Sequence, residues 1–172
     1  FSGNVSPGAG GSIVVLDAGT LNLTNCTFYN NTALNGGGVY NHPGTTVTLL
    51  NCTLSGNTAT GGMGGLGSGG GTVNLKNTII AGNAAPSNPD VQGSFTSQGN
   101  NLIGNTTGGT GFGGADLLNV GALLGALANY GGTTQTLPLL PGSPAINAGT
   151  STGAPANDQR GIARVGNVDI GA

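Results

Sequence analysis

Charge is what this sequence has least of. Glutamate and tryptophan are absent, and 172 residues hold one lysine (Lys76), one histidine (His42), two arginines and five aspartates, for a net charge of −2. With no basic stripe to neutralise phosphates, nucleic acid is excluded as a partner. No apolar run reaches the roughly 20 residues that span a bilayer as a helix, so no membrane span is expected. Two cysteines and one histidine are too few soft ligands for a structural metal centre, and no metal or cofactor is expected. Aromatic residues number four Phe and three Tyr, too few for the stacking platforms that carbohydrate modules use. Disordered chains usually combine high charge with low hydrophobicity. Here charge is scarce and 36% of residues are hydrophobic, so order is expected. The 37 glycines do not follow the triplet of collagen.

What the chain does have is a repeat. Leu21-Asn22-Leu23-Thr24-Asn25-Cys26-Thr27-Phe28-Tyr29-Asn30-Asn31 returns as Val47 to Asn57 and again as Val73 to Asn83, with Asn25, Asn51 and Asn77 each 26 residues apart. A fixed period of this length marks a solenoid whose units bury their apolar faces only by stacking. Within a copy the alternation is that of strands: Leu21 and Leu23 share one face, Cys26 and Phe28 another, and Asn25 breaks the phase between them. Asparagine bonds local backbone and tolerates left-handed φ, so Asn25, Asn51 and Asn77 are read as corners. Stacking them predicts an amide ladder, and Asn31, Asn57 and Asn83 predict a second. Leu21/Val47/Val73, Leu23/Leu49/Leu75 and Phe28/Leu54/Ile80 are the expected apolar columns. Asn22/Thr48/Asn74, Thr24/Leu50/Lys76 and Tyr29 should face out.

Between copies, Gly36-Gly37-Gly38-Val39 is expected to carry a third face with Val39 inward. The run Gly61 to Gly71, eight glycines in eleven residues, is expected to bulge outward. A phosphate-cradling loop is excluded there by the missing Lys-Ser/Thr ending and following helix. A shorter turn closes at Gly104-Asn105, after which the period dissolves. The division is therefore residues 1–105 as β-helix turns and 106–172 as an irregular C-terminal cap on the same solenoid, covering the open strand edges. A short helix is expected near Val120–Leu127. Phe1-Ser2-Gly3-Asn4 repeats Phe28-Tyr29-Asn30-Asn31, so the chain reads as a processed or excerpted one without a visible signal peptide.

Cys26 and Cys52 occupy equivalent positions of neighbouring copies. Stacked strands lie about 4.8 Å apart, inside the Cα range of about 4.4–6.8 Å that a disulfide tolerates, yet the two side chains point the same way. Stacked interior thiols and a disulfide both fit.

Phe28-Tyr29-Asn30-Asn31 and Gly37-Gly38-Val39 resemble the Phe-x-x-Asn and Gly-Gly-Ala-Ile motifs of chlamydial polymorphic outer-membrane proteins. Later copies depart from this, with Leu54 or Ile80 in place of Phe. The tail is similar to that of bacterial choice-of-anchor Q domain proteins. The matching stretches are Asn100-Asn101-Leu102-Ile103-Gly104, Leu139 to Gly149, Asp158-Gln159-Arg160-Gly161 and Asp169-Ile170-Gly171-Ala172. Together these resemblances cover nearly the whole chain. They imply an all-β, right-handed parallel β-helix of the pectin-lyase type, exported to a bacterial cell surface.

Three function classes remain. Polysaccharide-cleaving β-helices use paired carboxylates, or Asp-bound calcium with a basic residue. Here Asp17, Asp90 and Asp116 fall at unrelated phases, and Asp158, Arg160, Arg164 and Asp169 read as ion pairs of the tail. No catalytic residue is assigned, and a degenerate polysaccharide-processing enzyme remains an alternative. A carbohydrate-binding module is a second alternative; a regular Thr array for ice is not present. The favoured reading is an extracellular structural or adhesive surface protein that self-associates head to tail into a fibre, a heterologous contact that need not close. Asn-x-Ser/Thr triplets occur at Asn4, Asn22, Asn25, Asn30, Asn51 and Asn105. Those at Asn25 and Asn51 belong to the corner motif, which leaves Asn4, Asn22, Asn30 and Asn105 as candidate glycosylation sites.

Overall fold

The computed structural model describes residues 1–172 and contains sixteen short strands and no helix. Every strand pairs in parallel with its equivalent in the next turn, the arrangement of a parallel β-helix of about four turns. One face carries β2 (Thr20–Thr24), β6 (Thr46–Leu50), β10 (Thr72–Lys76) and β13 (Thr96–Ser97). The next carries β3 (Thr27–Tyr29), β7 (Thr53–Ser55), β11 (Ile79–Ile80), β14 (Leu102–Ile103) and β16 (Leu117–Leu118). The third carries β1 (Ile13–Val15), β5 (Val39–Asn41), β9 (Leu66–Ser68), β12 (Val91–Ser94) and β15 (Gly109–Thr110). A strip of β4 (Thr32–Asn35) and β8 (Thr58–Gly62) completes the wall.

Register follows the repeat. Leu23 pairs with Leu49 and Leu49 with Leu75, while Phe28, Leu54, Ile80 and Ile103 form one file. Val39, Leu66 and Val91 form another. All of these interior side chains are buried, and each such burial contributes about 1.5–3 kcal/mol relative to exposure. The ring of Phe1 stacks on Phe28 at 4.8 Å, and Phe112 stacks on Phe95 at 5.5 Å at the other end of the core.

Left-handed residues make the corners. Asn25, Asn51 and Asn77 have φ of 51°, 49° and 49°, as the repeat predicted, and Asn100 adds a further corner at 58°. A second file of positive φ, Gly10, Gly36, Met63 and Asn88, leads into the third face. Behind it the backbones touch. A Cβ on Gly37 would lie 2.5 Å from the Gly64 carbonyl oxygen, and one on Gly64 would lie 2.3 Å from that of Pro89. That contact corrects the expectation for Gly61 to Gly71. The run does not bulge outward, because Leu66 to Ser68 is a buried strand whose flanking glycines are required by close turn-to-turn approach.

Residues 106–172 pack on the same solenoid, but most of the segment lies along its flank rather than over its open end. Only β15 and β16 extend the stack. The remainder crosses the outer side of the second face, where Ile79 and Leu102 meet Ala122, Ala145 and Ile170 in a separate apolar cluster. The expected helix at Val120–Leu127 does not form. Leu124 bridges Leu139 and Ala128 bridges Thr136 in antiparallel fashion; Leu123 has φ 48°, and Gly121 and Gly125 disfavour a helix.

Candidate functional site

Three polar files organise the surface and interior. The first descends from the corner after β3. Asn31, Asn57 and Asn83 are buried, and each donates its backbone N–H and its Nδ2 to the Oδ1 of the next turn, at 2.8–3.1 Å. Asn4 begins the same file, donating to Asn31 Oδ1. Asp90 ends it: its Oδ1 accepts both the backbone N–H and Nδ2 of Asn83 at 2.9 Å. Burial raises the Asp90 carboxyl above its ordinary range, and the Asn83 donors partly oppose that shift.

Asp90 occupies the position of Gly38 and Gly65 in earlier turns. Those glycines leave room for the ladder, since a Cβ on Gly65 would lie 2.7 Å from Asn83 Nδ2. In the turn that begins β12 (Val91–Ser94) the same space receives the carboxylate.

The second file follows the Asn corners: Cys26, Cys52, Thr78, Asn101 and Asp116. Cys52 N–H donates to Thr78 Oγ1 at 3.4 Å, and Thr78 N–H donates to Asn101 Oδ1 at 3.0 Å. Asn101 then donates its backbone N–H and Nδ2 to Asp116 Oδ1, and Asp116 Oδ2 accepts the Gly113 N–H at 2.7 Å. Two aspartates whose phases looked unrelated in sequence therefore do the same work. Each ends a unidirectional relay of hydrogen bonds with a group that only accepts.

The third file is the corner asparagines themselves, and it corrects the expected amide ladder. Only one rung exists, Asn77 Nδ2 to Asn51 Oδ1 at 3.3 Å. Otherwise these side chains grip the tail. Asn25 donates to the Asn157 carbonyl, Asn51 to Gly171, Asn77 to Thr150 and Asn100 to Ala148, at 2.8–3.3 Å. Thr150 N–H returns a bond to Asn77 Oδ1 at 2.9 Å. A left-handed corner aims its amide outward, where the backbone carbonyls of the irregular tail satisfy it.

The charged residues of the tail serve this docking. Asp158 Oδ2 accepts Arg160 Nε at 2.8 Å and pairs with Nη2 at 2.5 Å, while its Oδ1 closes a turn by accepting the Arg160 and Ile162 N–H groups. Burial acts to raise Asp158, but these bonds outweigh it and hold the carboxyl below its usual range. Arg164 Nη2 donates to Asn25 Oδ1 at 3.0 Å and to the Gly171 carbonyl. Burial pulls its guanidinium below the usual arginine range, although Asp158 and Asp169 oppose this. Asp169 accepts the Asn147 N–H at 2.7 Å, and Gln159 meets Thr27.

Two hollows lie where tail and solenoid meet. One, of about 520 Å³, is lined by Asn25, Cys26 and Thr27 of the first full turn and by Leu127, Thr134 and Gln159 of the tail. The other, of about 310 Å³, includes Asp158, Arg160, Arg164 and Asp169. Cys26 and Cys52 are free thiols, Cys26 half-buried and Cys52 buried. Among the glycosylation candidates Asn22 and Asn30 are exposed, Asn4 is exposed but engaged with Asn31, and Asn105 is half-buried. The Asn51 triplet is enclosed.

No family model, curated protein or solved structure matches this chain. No helix is long and apolar enough to cross a membrane.

Proposed function

We propose that this chain is a non-catalytic extracellular module of a bacterial cell surface, structural or adhesive in role, whose work is to hold a rigid, weakly charged rod. The observation that carries this reading is the employment of its acids and bases. Asp90 and Asp116 end the interior relays, Asp158 and Arg160 pair, Arg164 holds Asn25, and Asp169 holds the Asn147 N–H. Asp17, His42 and Lys76 remain, and no hydrogen bond or ion pair joins any of them to another acid or base. Glycoside cleavage needs two carboxylates free to exchange protons across a substrate. These carboxylates are instead committed to backbone, side-chain amide and guanidinium donors. The likeness of the repeat and tail to surface-protein motifs supports export.

End-to-end association of copies is the more specific form of this reading. Such a contact would run through the backbone edges of the sheets. It would not extend the interior relays, because Asp90 and Asp116 offer no donor to a following turn. Negative-stain electron microscopy and light scattering across a concentration series test it: end-joined rods support association, and dispersed monomers at every concentration remove it. A panel of anionic and neutral polysaccharides tests the scaffold reading itself. Turnover that disappears in Asp158→Asn or Asp169→Asn would overturn it, and saturable glycan binding without turnover would replace it with a carbohydrate-binding role.

A further inference from the structure

Cys26 and Cys52 stand in adjacent rungs of one file, immediately before the paired residues Thr27 and Thr53. The Cys52 thiol is buried and turned toward the turn above it: its Sγ lies 3.5 Å from the Leu23 carbonyl, which belongs to the copy carrying Cys26. The Cys26 thiol is half-buried and lines the hollow of about 520 Å³ beneath the tail. One sulfur is therefore reachable from solvent through a walled space, and the other is enclosed in the adjacent rung. The chemistry is divided in the same way. The Cys52 thiol, by hydrogen bonding, lowers Cys26 to about 7, whereas burial raises Cys52 well above the ordinary thiol range. A thiol titrating near neutrality attacks disulfides best, because it is substantially ionised yet still nucleophilic.

We propose that Cys26 and Cys52 are a reactive dithiol, Cys26 attacking and Cys52 resolving, that closes into a disulfide between the first two full turns when it meets a small organic disulfide. In the first step the Cys26 thiolate attacks one sulfur of the small disulfide, whose other sulfur leaves as a thiolate and takes up a proton. A mixed disulfide remains, its small half seated in the hollow. Cys52 then loses its proton to water and attacks Cys26 Sγ, expelling the second small thiol. Two protein thiols are oxidised and one disulfide is reduced to two thiols, so the electrons balance. Adjacent parallel strands set the Cα atoms about 4.8 Å apart, within the range a disulfide spans. The bond closes a loop of 26 residues around one whole turn.

The test uses the intact chain, reduced, desalted and then incubated with oxidised glutathione at neutral pH. The expected product is a monomer lighter than the reduced chain by two hydrogens, with no thiol left to alkylate after denaturation. Its thermal midpoint should lie roughly 5–10 °C above that of the reduced form. Cys52→Ser should stop at a stable adduct of one glutathione on Cys26, and Cys26→Ser should leave Cys52 unmodified in the folded state. The mass measurement on the wild-type chain stands even if a variant fails to fold. Two free thiols after prolonged oxidation, or a persistent glutathione adduct on the wild-type chain, would overturn the proposal. Either result leaves the scaffold reading untouched, since that rests on other residues.

Discussion

Asp90 accepts two hydrogen bonds from Asn83 on a single oxygen, one from the backbone N–H and one from Nδ2. Every other link of that file is asparagine to asparagine. An amide at the last position would leave its own N–H groups in search of an acceptor, whereas a carboxylate has none to place. Replacing Asp90 with Ala removes the acceptor from two donors of a buried residue and should cost about 2–4 kcal/mol, read from urea denaturation. Asp90→Asn retains an accepting oxygen for Asn83 but leaves its own amide N–H groups unpartnered, and should cost about 1–2 kcal/mol at neutral pH, less than Asp90→Ala.

The same pair predicts a pH signature. Burial lifts the folded Asp90 carboxyl above its ordinary value of 3.8, so the native state holds that proton more tightly than the unfolded chain does. Its stabilising contribution is present in acid and is lost as pH rises through the raised folded value. The stability of Asp90→Asn relative to wild type should therefore improve between acid and neutral pH. A difference that stays flat, or that declines, contradicts this placement of the carboxylate.

Asn57 is wholly enclosed, accepts from Asn31, and donates to Asn83 and to the Phe28 and Ser55 carbonyls. Asn57→Ala should cost about 3–5 kcal/mol, since it orphans donors and acceptors on both neighbouring turns. Asn22→Ala, on an exposed strand position, should change stability by less than about 0.5 kcal/mol. Equal effects in denaturation midpoints would show that the interior file is not what holds the turns in register.

Gly65 has no room for a side chain: a Cβ there would meet the Asp90 carbonyl at 2.6 Å, Asn83 Nδ2 at 2.7 Å and Ile80 Cγ2 at 2.9 Å. Gly65→Ala should destabilise by about 3 kcal/mol or more. Gly113→Ala, with nothing within 4 Å, is the matched control and should fold normally. Circular dichroism melts distinguish the two.

Ile170 anchors the tail against Ile79 and Leu102. Ile170→Ala should cost about 2–4 kcal/mol, concentrated in the tail. Hydrogen exchange should quicken around 141–172 while the amides of β6, β7 and β10 keep their protection. Uniform loss of protection would show that the tail and the turns unfold as one unit.

The solenoid was legible because each of its decisions is local and repeated. A residue stacks on the residue one period away, so the spacing of Asn25, Asn51 and Asn77 already carries the register, the corners and the apolar files. The doubled apolar steps Ile79-Ile80, Leu102-Ile103 and Leu117-Leu118 carried a further signal, that the outer side of that face is covered, because a strand facing water on one side would alternate. The partners of that cover were not legible. Asn25, Asn77 and Arg164 bind across 132, 73 and 139 residues, mostly to backbone carbonyls, which every residue possesses and no residue type announces. The same holds for Asp90 and Asp116, whose roles depend on where the last turns end in space. Periodic stacking is written in the chain, and the path of an irregular segment across a finished surface is settled only when that surface exists.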